Sequence, residues 1–267
     1  RHELIGGRGF GVLRGLPVER YTEAESQAIF CGVGSHLGMA RSQNAQRQLL
    51  GHVRDLGVSS QDPRVRVYQT SERQTFHTDS ADVVSLLCLK NAMAGGDSLL
   101  VSSSTLFNEM RRQCPEWLRL LLQPIATDRR GEGAAGQAPY FLIPVFSYHE
   151  HFLTAIYQRQ YIESAQRFSD APRLTDQHVL ALDRFDQLAN SPELHFSMRL
   201  APGDMQFVYN HALLHDRTAF QDWPEPQRQR HLLRLWLSVP GDRPLPGCFA
   251  SRYGSVEIGN RGGVTIG

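Results

Sequence analysis

The sequence predicts a mainly β fold of the α+β class, with a double-stranded β-helix (jelly-roll) core and peripheral helices. Three observations predict it. Short apolar runs with strand-like alternation recur along the chain. Gly and Pro signals such as Gly95-Gly96 and Pro202-Gly203-Asp204 separate them. Helical periodicity is confined to a few segments between strands, an arrangement suited to a decorated antiparallel barrel. No internal repeat and no linker divides the chain, so residues 1–267 read as one domain.

The elements follow in order. Residues 9–14 form a first strand, and Gly6 to Gly11 is its flexible entry, since the run lacks both the Walker lysine and the dinucleotide-binding spacing. Thr22-Glu23-Ala24-Glu25 has capping-box spacing and opens a helix to about Val33. Residues 39–62 are polar and carry no readable period. Val65–Gln69 alternates as a strand. The run Phe76-His77-Thr78-Asp79 continues as a strand, which puts His77 and Asp79 on one face and Thr78 on the other. Val83–Leu89 is a buried strand and Leu99–Ser102 a short one. Ser104 caps a helix through Arg112, and Pro115 suits the first turn of another through Leu122. Arg129–Ala138 is a Gly/Ala-rich loop, with Arg129-Arg130, like Arg111-Arg112, read as solvated charge. Tyr140–Phe146 and Phe152–Tyr157 are strands, with His149-Glu150-His151 as a surface turn between them. Val179, Leu182, Phe185 and Leu188 mark one helical face over Thr175–Leu188. Pro202-Gly203-Asp204 turns the chain into the strand that leads to His211 and His215. Arg230–Leu237 alternates with apolar residues on both faces, the mark of a strand covered on both sides.

Composition narrows the function classes. A chain of 267 residues buries a large core. Its formal net charge of +1, with acids and bases intermixed, gives no electrostatic case for nucleic acid or a membrane surface. No apolar run approaches the length that spans a bilayer. The four cysteines, Cys31, Cys88, Cys114 and Cys248, form no CxxC pair. Reduced thiols fit the cytoplasm or another reducing compartment. The chain begins at Arg1 rather than Met, which leaves room for a trimmed targeting segment.

The chemistry is concentrated in His77-Thr78-Asp79 and a distant histidine. Two imidazoles and one carboxylate suit a divalent first-row metal; as a facial triad they leave three positions open for chemistry. One strand cannot supply three facial corners, so the third ligand comes from elsewhere, and His211 and His215 compete for it. Arg230 and Arg234 share a face of a buried strand with Leu232 and Trp236. Buried guanidinium groups need anionic partners, and they match carboxylates bidentately.

Four ordered segments carry a resemblance: His77-Thr78-Asp79, then Gly95-Gly96-Asp97-Ser98, then Asn210 to Phe220 (NHALLHDRTAF), then Arg230-His231-Leu232-Leu233-Arg234. Over roughly residues 8–240 the chain resembles the Fe(II)/2-oxoglutarate-dependent dioxygenases of the taurine dioxygenase (TauD/TfdA-like) type, in the clavaminate synthase-like branch. The resemblance implies Fe(II) bound by His77, Asp79 and His215, with 2-oxoglutarate and O2 as cosubstrates. It selects His215 over His211. It also implies that Arg230 pairs with the far carboxylate of 2-oxoglutarate and that Ser98, where the family more often has Thr, hydrogen-bonds the same tail. Arg234 is expected near the chelated end of 2-oxoglutarate or near the primary substrate. Asp79 speaks against a halogenase, which needs that ligand absent.

The reaction so implied is oxidation, by default hydroxylation, of a C–H bond in a small molecule, with release of succinate and CO2. The HDRT segment looks closer to enzymes acting on amino-acid-like or betaine-like molecules than to taurine dioxygenase itself. Arg73, Arg217 and Arg234 are therefore candidate contacts for a carboxylate-bearing substrate. Beside these stand a solvent-facing loop role for Arg73 and a structural ion pair for Arg217. Two other readings remain beside the dioxygenase. A cupin-like hydrolase or isomerase would use the same triad with another metal, but has no use for Arg230 or Ser98. A non-catalytic barrel acting as a binding module would be expected to break the triad. No feature of the sequence fixes the primary substrate or the oligomeric state.

Overall fold

The computed structural model describes residues 1–59, 65–133 and 136–264. Two antiparallel sheets dominate it. The larger runs Phe10–Leu13, Met205–Tyr209, Val83–Lys90, His231–Ser238 and Met39–Arg41 in spatial order, with Leu50–Val53 also paired to His231–Ser238. The smaller runs His195–Met198, Ser98–Ser102, Leu213–Arg217 and Gln74–His77.

Apolar side chains from both sheets meet in one cluster. Cys88, Val208 and Leu232 come from the larger sheet, Leu100, Met198 and Leu213 from the smaller. The remaining faces are covered by helices. Phe30 of the Glu23–Ser35 helix packs on Leu233, Leu235 and Leu237. Helices Ser103–Gln113, Pro115–Leu121 and Asp176–Ala189 bury Leu106, Met110, Leu118, Leu182 and Phe185 against Phe76, Leu99, Val101 and Leu214. The two central strands of the larger sheet are thus covered on both faces, which is why Val83–Lys90 and His231–Ser238 read as nearly continuous apolar runs.

Helix ends follow their capping chemistry. Thr22 accepts from the Glu25 amide at 3.2 Å while the Glu25 carboxylate takes the Thr22 amide at 2.8 Å. Thr22→Ala is therefore expected to cost about 1 kcal/mol of stability, read as a lowered denaturation midpoint with an unchanged slope. Thr175 likewise caps Asp176–Ala189.

Several expectations are corrected. Ser102, not Ser104, caps the next helix, because its side chain accepts from the Thr105 amide at 3.3 Å. Val65–Gln69 is not a strand: Val67–Gln69 is a 3-10 turn, closed where the Gln69 side chain accepts from the Arg66 amide. Tyr140–Phe146 divides at Pro144 into Tyr140–Ile143 and Phe146–His149, which pair with different partners. Segment 39–62, unreadable in sequence, contains strands Met39–Arg41 and Leu50–Val53; residues 60–62 lie outside the described residues, as do 134–135 of the Gly/Ala-rich loop. His149-Glu150-His151 is the hairpin turn expected, with positive φ at Glu150 and His151. No described helix is long and apolar enough to cross a membrane.

Candidate active site

The strand Gln74–His77 ends at His77, so Asp79 is not carried on it as the alternation implied. The chain leaves the sheet at Thr78, whose amide donates to the Tyr157 carbonyl at 2.9 Å. Asp79 is then fixed by Asn210. The Asn210 carboxamide oxygen accepts from the Asp79 amide at 2.9 Å, and its nitrogen donates to the carbonyls of Asp79 and Ala81. This clamp returns the Asp79 carboxylate to His77: Oδ1 lies 3.8 Å from His77 Nε2. His215 sits directly opposite His77 in the ladder between their strands. The two rings are 4.2 Å apart between centroids, and His215 Nε2 is 3.6 Å from Asp79 Oδ2. One potential ligand atom from each of His77, Asp79 and His215 falls within 4.8 Å of the other two.

The surroundings suit a cation. His77 Nδ1 donates to the Thr75 carbonyl at 2.8 Å, which puts the lone pair on Nε2, where it accepts from the Gln74 carboxamide nitrogen at 2.9 Å and faces the cluster. Burial, then the neighbouring His215, pushes the His77 imidazole down to about 3, so it stands neutral, as a ligand must. Burial alone would raise the Asp79 carboxyl, but Arg234, His215 and His77 together hold it well below the usual carboxylate range. Asp79 Oδ2 accepts from the Trp236 indole N–H at 2.8 Å and lies 3.5 Å from Arg234 Nη1. His215 Nδ1 is buried without a hydrogen-bond partner. Two imidazoles, that of His77 neutral, and an ionised carboxylate are the donor set a borderline divalent metal requires, and they fit Fe(II).

Beside the triad lies a small cavity of ≈ 50 Å³, lined among others by His77, Ser98, Gln206, His215, Arg217 and Arg230. Arg230 and Arg217 flank the Phe220 ring, their guanidinium carbons 5.0 and 4.8 Å from its centroid. Burial lowers Arg230 to about 10 and Arg217 to about 9. Arg230 Nη1 and Arg217 Nε are buried without hydrogen-bond partners. A carboxylate-tailed ligand would relieve both groups, which is the fit that 2-oxoglutarate requires. Gly96 is part of the cradle: at φ +74°, a Cβ there would stand 2.9 Å from Arg230 Nε. Ser98 Oγ donates to Gln206 Oε1 at 3.0 Å.

The remaining candidates are placed differently. Arg234 reaches the triad and also donates to Gln43 Oε1 at 2.7 Å. Arg217 forms no ion pair among the described residues; it donates to the carbonyls of Thr70, at 2.9 Å, and Glu72. Arg73 lines neither cavity. It forms a 2.6 Å ion pair with Asp216 and bonds Asn190, because the side chain after His215 points to the opposite face of the strand. His211 is fully buried, 2.8 Å from Asp82 and 3.7 Å from Asp242, away from the triad. Arg261 joins the same buried group, 2.7 Å from Asp82 and 2.9 Å from Asp242. The sequence reading passed over Asn210, Gln206 and Trp236. The first lies inside the recognised NHALLHDRTAF segment, and the third shares the alternating face of Arg230 and Arg234, so both had a signal.

A second, larger cavity of ≈ 770 Å³ opens on Thr78, Asp79, Arg234 and Trp236.

Comparison with known proteins agrees with this geometry. The family described as "Taurine catabolism dioxygenase TauD, TfdA family" matches residues 1–236. FR-33289 synthase of Streptomyces rubellomurinus (strain ATCC 31215) is 37% identical over 250 residues, spanning 91% of this chain and 73% of that protein. A uridine-5'-phosphate dioxygenase of an Amycolatopsis species is 26% identical over 189 residues, 65% of this chain and 64% of that protein. Among solved structures, asparagine oxygenase in complex with Fe(II), hydroxyasparagine and succinate superposes with a TM-score of 0.66 at 18% identity, covering 86% of this chain and 74% of that one. The matched family and the arrangement of His77, Asp79 and His215 lead to one conclusion: the chain belongs to the TauD/TfdA family of non-haem iron, 2-oxoglutarate-dependent dioxygenases.

Proposed function

We propose that His77, Asp79 and His215 hold Fe(II), that Arg230 and Ser98 hold the tail of 2-oxoglutarate, and that the enzyme hydroxylates a C–H bond of a small anionic, amino-acid-like molecule in the larger cavity. The two sheets with their shared core are the layers of a single jelly-roll domain. The observation that carries the reading is the position of the triad between two cavities, with the buried, incompletely bonded Arg230 in the smaller one.

When bound, iron with 2-oxoglutarate and O2 supplies the oxidant. The chain's own residues do the rest. The Thr75 carbonyl keeps the proton of His77 on Nδ1. Asn210 and Trp236 orient Asp79 from the backbone and the carboxylate sides. Arg217 and Arg230 supply positive charge for the cosubstrate's tail, with the Phe220 ring packed against both guanidinium groups. Arg234, stacked 4.7 Å from Tyr68 and 4.9 Å from Trp236, stands where the two cavities meet. Relatives in the family carry names that denote different substrates, so substrate class must be read from this chain's own larger cavity.

Among the described residues its lining supports an anionic guest, since Arg54, Arg66, Arg234 and Arg252 contribute to it against Asp79 and Glu132. The test is a substrate panel with iron, 2-oxoglutarate and O2, read by succinate release. Anionic and zwitterionic small molecules are expected to raise release above the uncoupled background. Coupling only by uncharged hydrophobic compounds would leave the enzyme class standing and remove the substrate class.

A further inference from the structure

Outside the triad, two further groups of metal-ligating side chains converge among the described residues. One, Asp82, His211 and Asp242, already has its cation, because the Arg261 guanidinium stands 2.7 Å from Asp82 and 2.9 Å from Asp242. The other is Glu23, His52 and His231, and neither iron nor 2-oxoglutarate binding uses it.

Three elements far apart in sequence deliver these side chains. Glu23 is the first residue of the Glu23–Ser35 helix, His52 lies in the Leu50–Val53 strand, and His231 opens the His231–Ser238 strand. His52 sits opposite Leu233 in the ladder between the two strands, and His231 lies two residues before Leu233. Alternation brings both rings to the face on which the helix packs. There His52 Nδ1 lies 2.8 Å from His231 Nε2, and Glu23 Oε1 lies 3.9 Å from His52 Nδ1. Each of the three residues offers one ligand atom within 4.8 Å of the other two.

A hydrogen bond between the rings explains only part of this. One ring must donate and the other accept, so a single proton lies between them. The carboxylate is too far from His52 to share in that bond. A tautomer shift moves the proton to the ring's outer nitrogen and leaves both facing nitrogens as lone-pair donors. A tetrahedral zinc ion bonds imidazole nitrogen at about 2.0–2.1 Å, which places its ligands about 3.4 Å apart. The facing nitrogens reach that spacing by parting about half an ångström, and the exposed Glu23 side chain by swinging in about as far. Glu23 Oε1 also accepts from Gln27 Nε2 at 3.2 Å, one turn along the helix, an outer partner of the kind that orients a ligating carboxylate. Glu23 is exposed and His52 half-buried, which gives an ion a path from solvent.

We infer that Glu23, His52 and His231 form a second metal site for a borderline divalent ion of the Zn2+ class, with three protein ligands and one position left to solvent. The surrounding charge narrows the ion. Arg54 and Lys90 act on His231 through their charge, Lys90 from the opposing ladder position. Such neighbours penalise an ion held by charge alone, and Mg2+ and Ca2+ also require oxygen ligands that two imidazoles do not supply. The bound ion ties the start of the helix to two strands, one of which carries Arg234.

The test uses the full chain carrying His77→Ala and Asp79→Ala, which disables the triad, titrated calorimetrically with Zn2+. One equivalent is expected to bind and to raise the thermal denaturation midpoint. Adding His52→Gln, which leaves His231 a hydrogen-bonding neighbour, is expected to weaken Zn2+ at least about tenfold, the least that losing an outer partner of a ligand costs. Glu23→Gln, at an exposed position, is expected to do the same. Mg2+ and Ca2+ in excess are expected not to displace Zn2+. A ring-to-ring hydrogen bond alone predicts equal Zn2+ binding with and without each substitution. Absence of the zinc equivalent from the triad-disabled protein, unchanged affinity in His52→Gln or Glu23→Gln, or displacement by Mg2+ or Ca2+ overturns the inference. The triad is disabled in every sample, so failure here leaves the reading of the iron site untouched.

Discussion

His215→Ala is expected to abolish the anaerobic charge-transfer band that Fe(II) and 2-oxoglutarate produce, and with it all substrate-dependent succinate release. His77→Ala and Asp79→Ala are expected to do the same. The effect is total because a facial site has only three protein ligands, and two leave a metal no better held than by a surface pair. The neighbouring residue provides the control. His211 is buried against Asp82, with its ring turned to that carboxylate. A band that survives in His215→Ala and vanishes when His211 is changed would reverse the choice of third ligand.

The second large effect concerns the cosubstrate. Arg230→Ala is expected to raise the Kd for 2-oxoglutarate at least thirtyfold, since truncating one partner of a desolvated charge pair costs about 2–5 kcal/mol. Its sign on stability is a separate check. Among the described residues the Arg230 side chain has no carboxylate partner and one unpartnered nitrogen, so its removal takes away a poorly compensated buried charge. The metal-free variant should therefore melt no lower than the unaltered protein, while its 2-oxoglutarate affinity falls. Ser98→Ala removes one hydrogen bond to a charged group and is expected to cost about 1.5–3 kcal/mol of the same affinity. Normal binding in Arg230→Ala beside impaired binding in Arg234→Ala would exchange the roles of the two arginines.

Much of this site was legible because its chemistry is local. His77 and Asp79 are two residues apart, and Arg230 and Arg234 lie on one alternating face of a buried strand. The reason Asp79 converges on His77 was not legible. It depends on Asn210, more than a hundred residues downstream, and not on strand alternation. Val65–Gln69 shows the limit of alternation: its pattern is that of a strand, but a strand exists only where another offers its hydrogen bonds, and the Gln69 side chain closes a turn there. Arg73 shows the same for charge. Four residues before His77 it reads either as a substrate contact or as a solvent-facing loop charge, yet Asp216 on the neighbouring strand takes it. Arg130 reads in sequence as a solvated loop charge, because nothing nearby announces that the Tyr161 ring and the Arg66 side chain meet it.

The buried group of Asp82, His211, Asp242 and Arg261 bears on how the molecule is made. Asp82 lies three residues beyond Asp79, and the amide of Gly263 donates to the carbonyl of Ser80 at 2.7 Å. Until translation passes Arg261, two carboxylates destined for the interior have no guanidinium between them, and the loop that bears Asp79 lacks its floor. The segment from Arg261 to Gly263 therefore works as a floor beneath the loop that bears Asp79, and the candidate metal site takes its final shape only once that segment has docked on Asp82, Asp242 and Ser80.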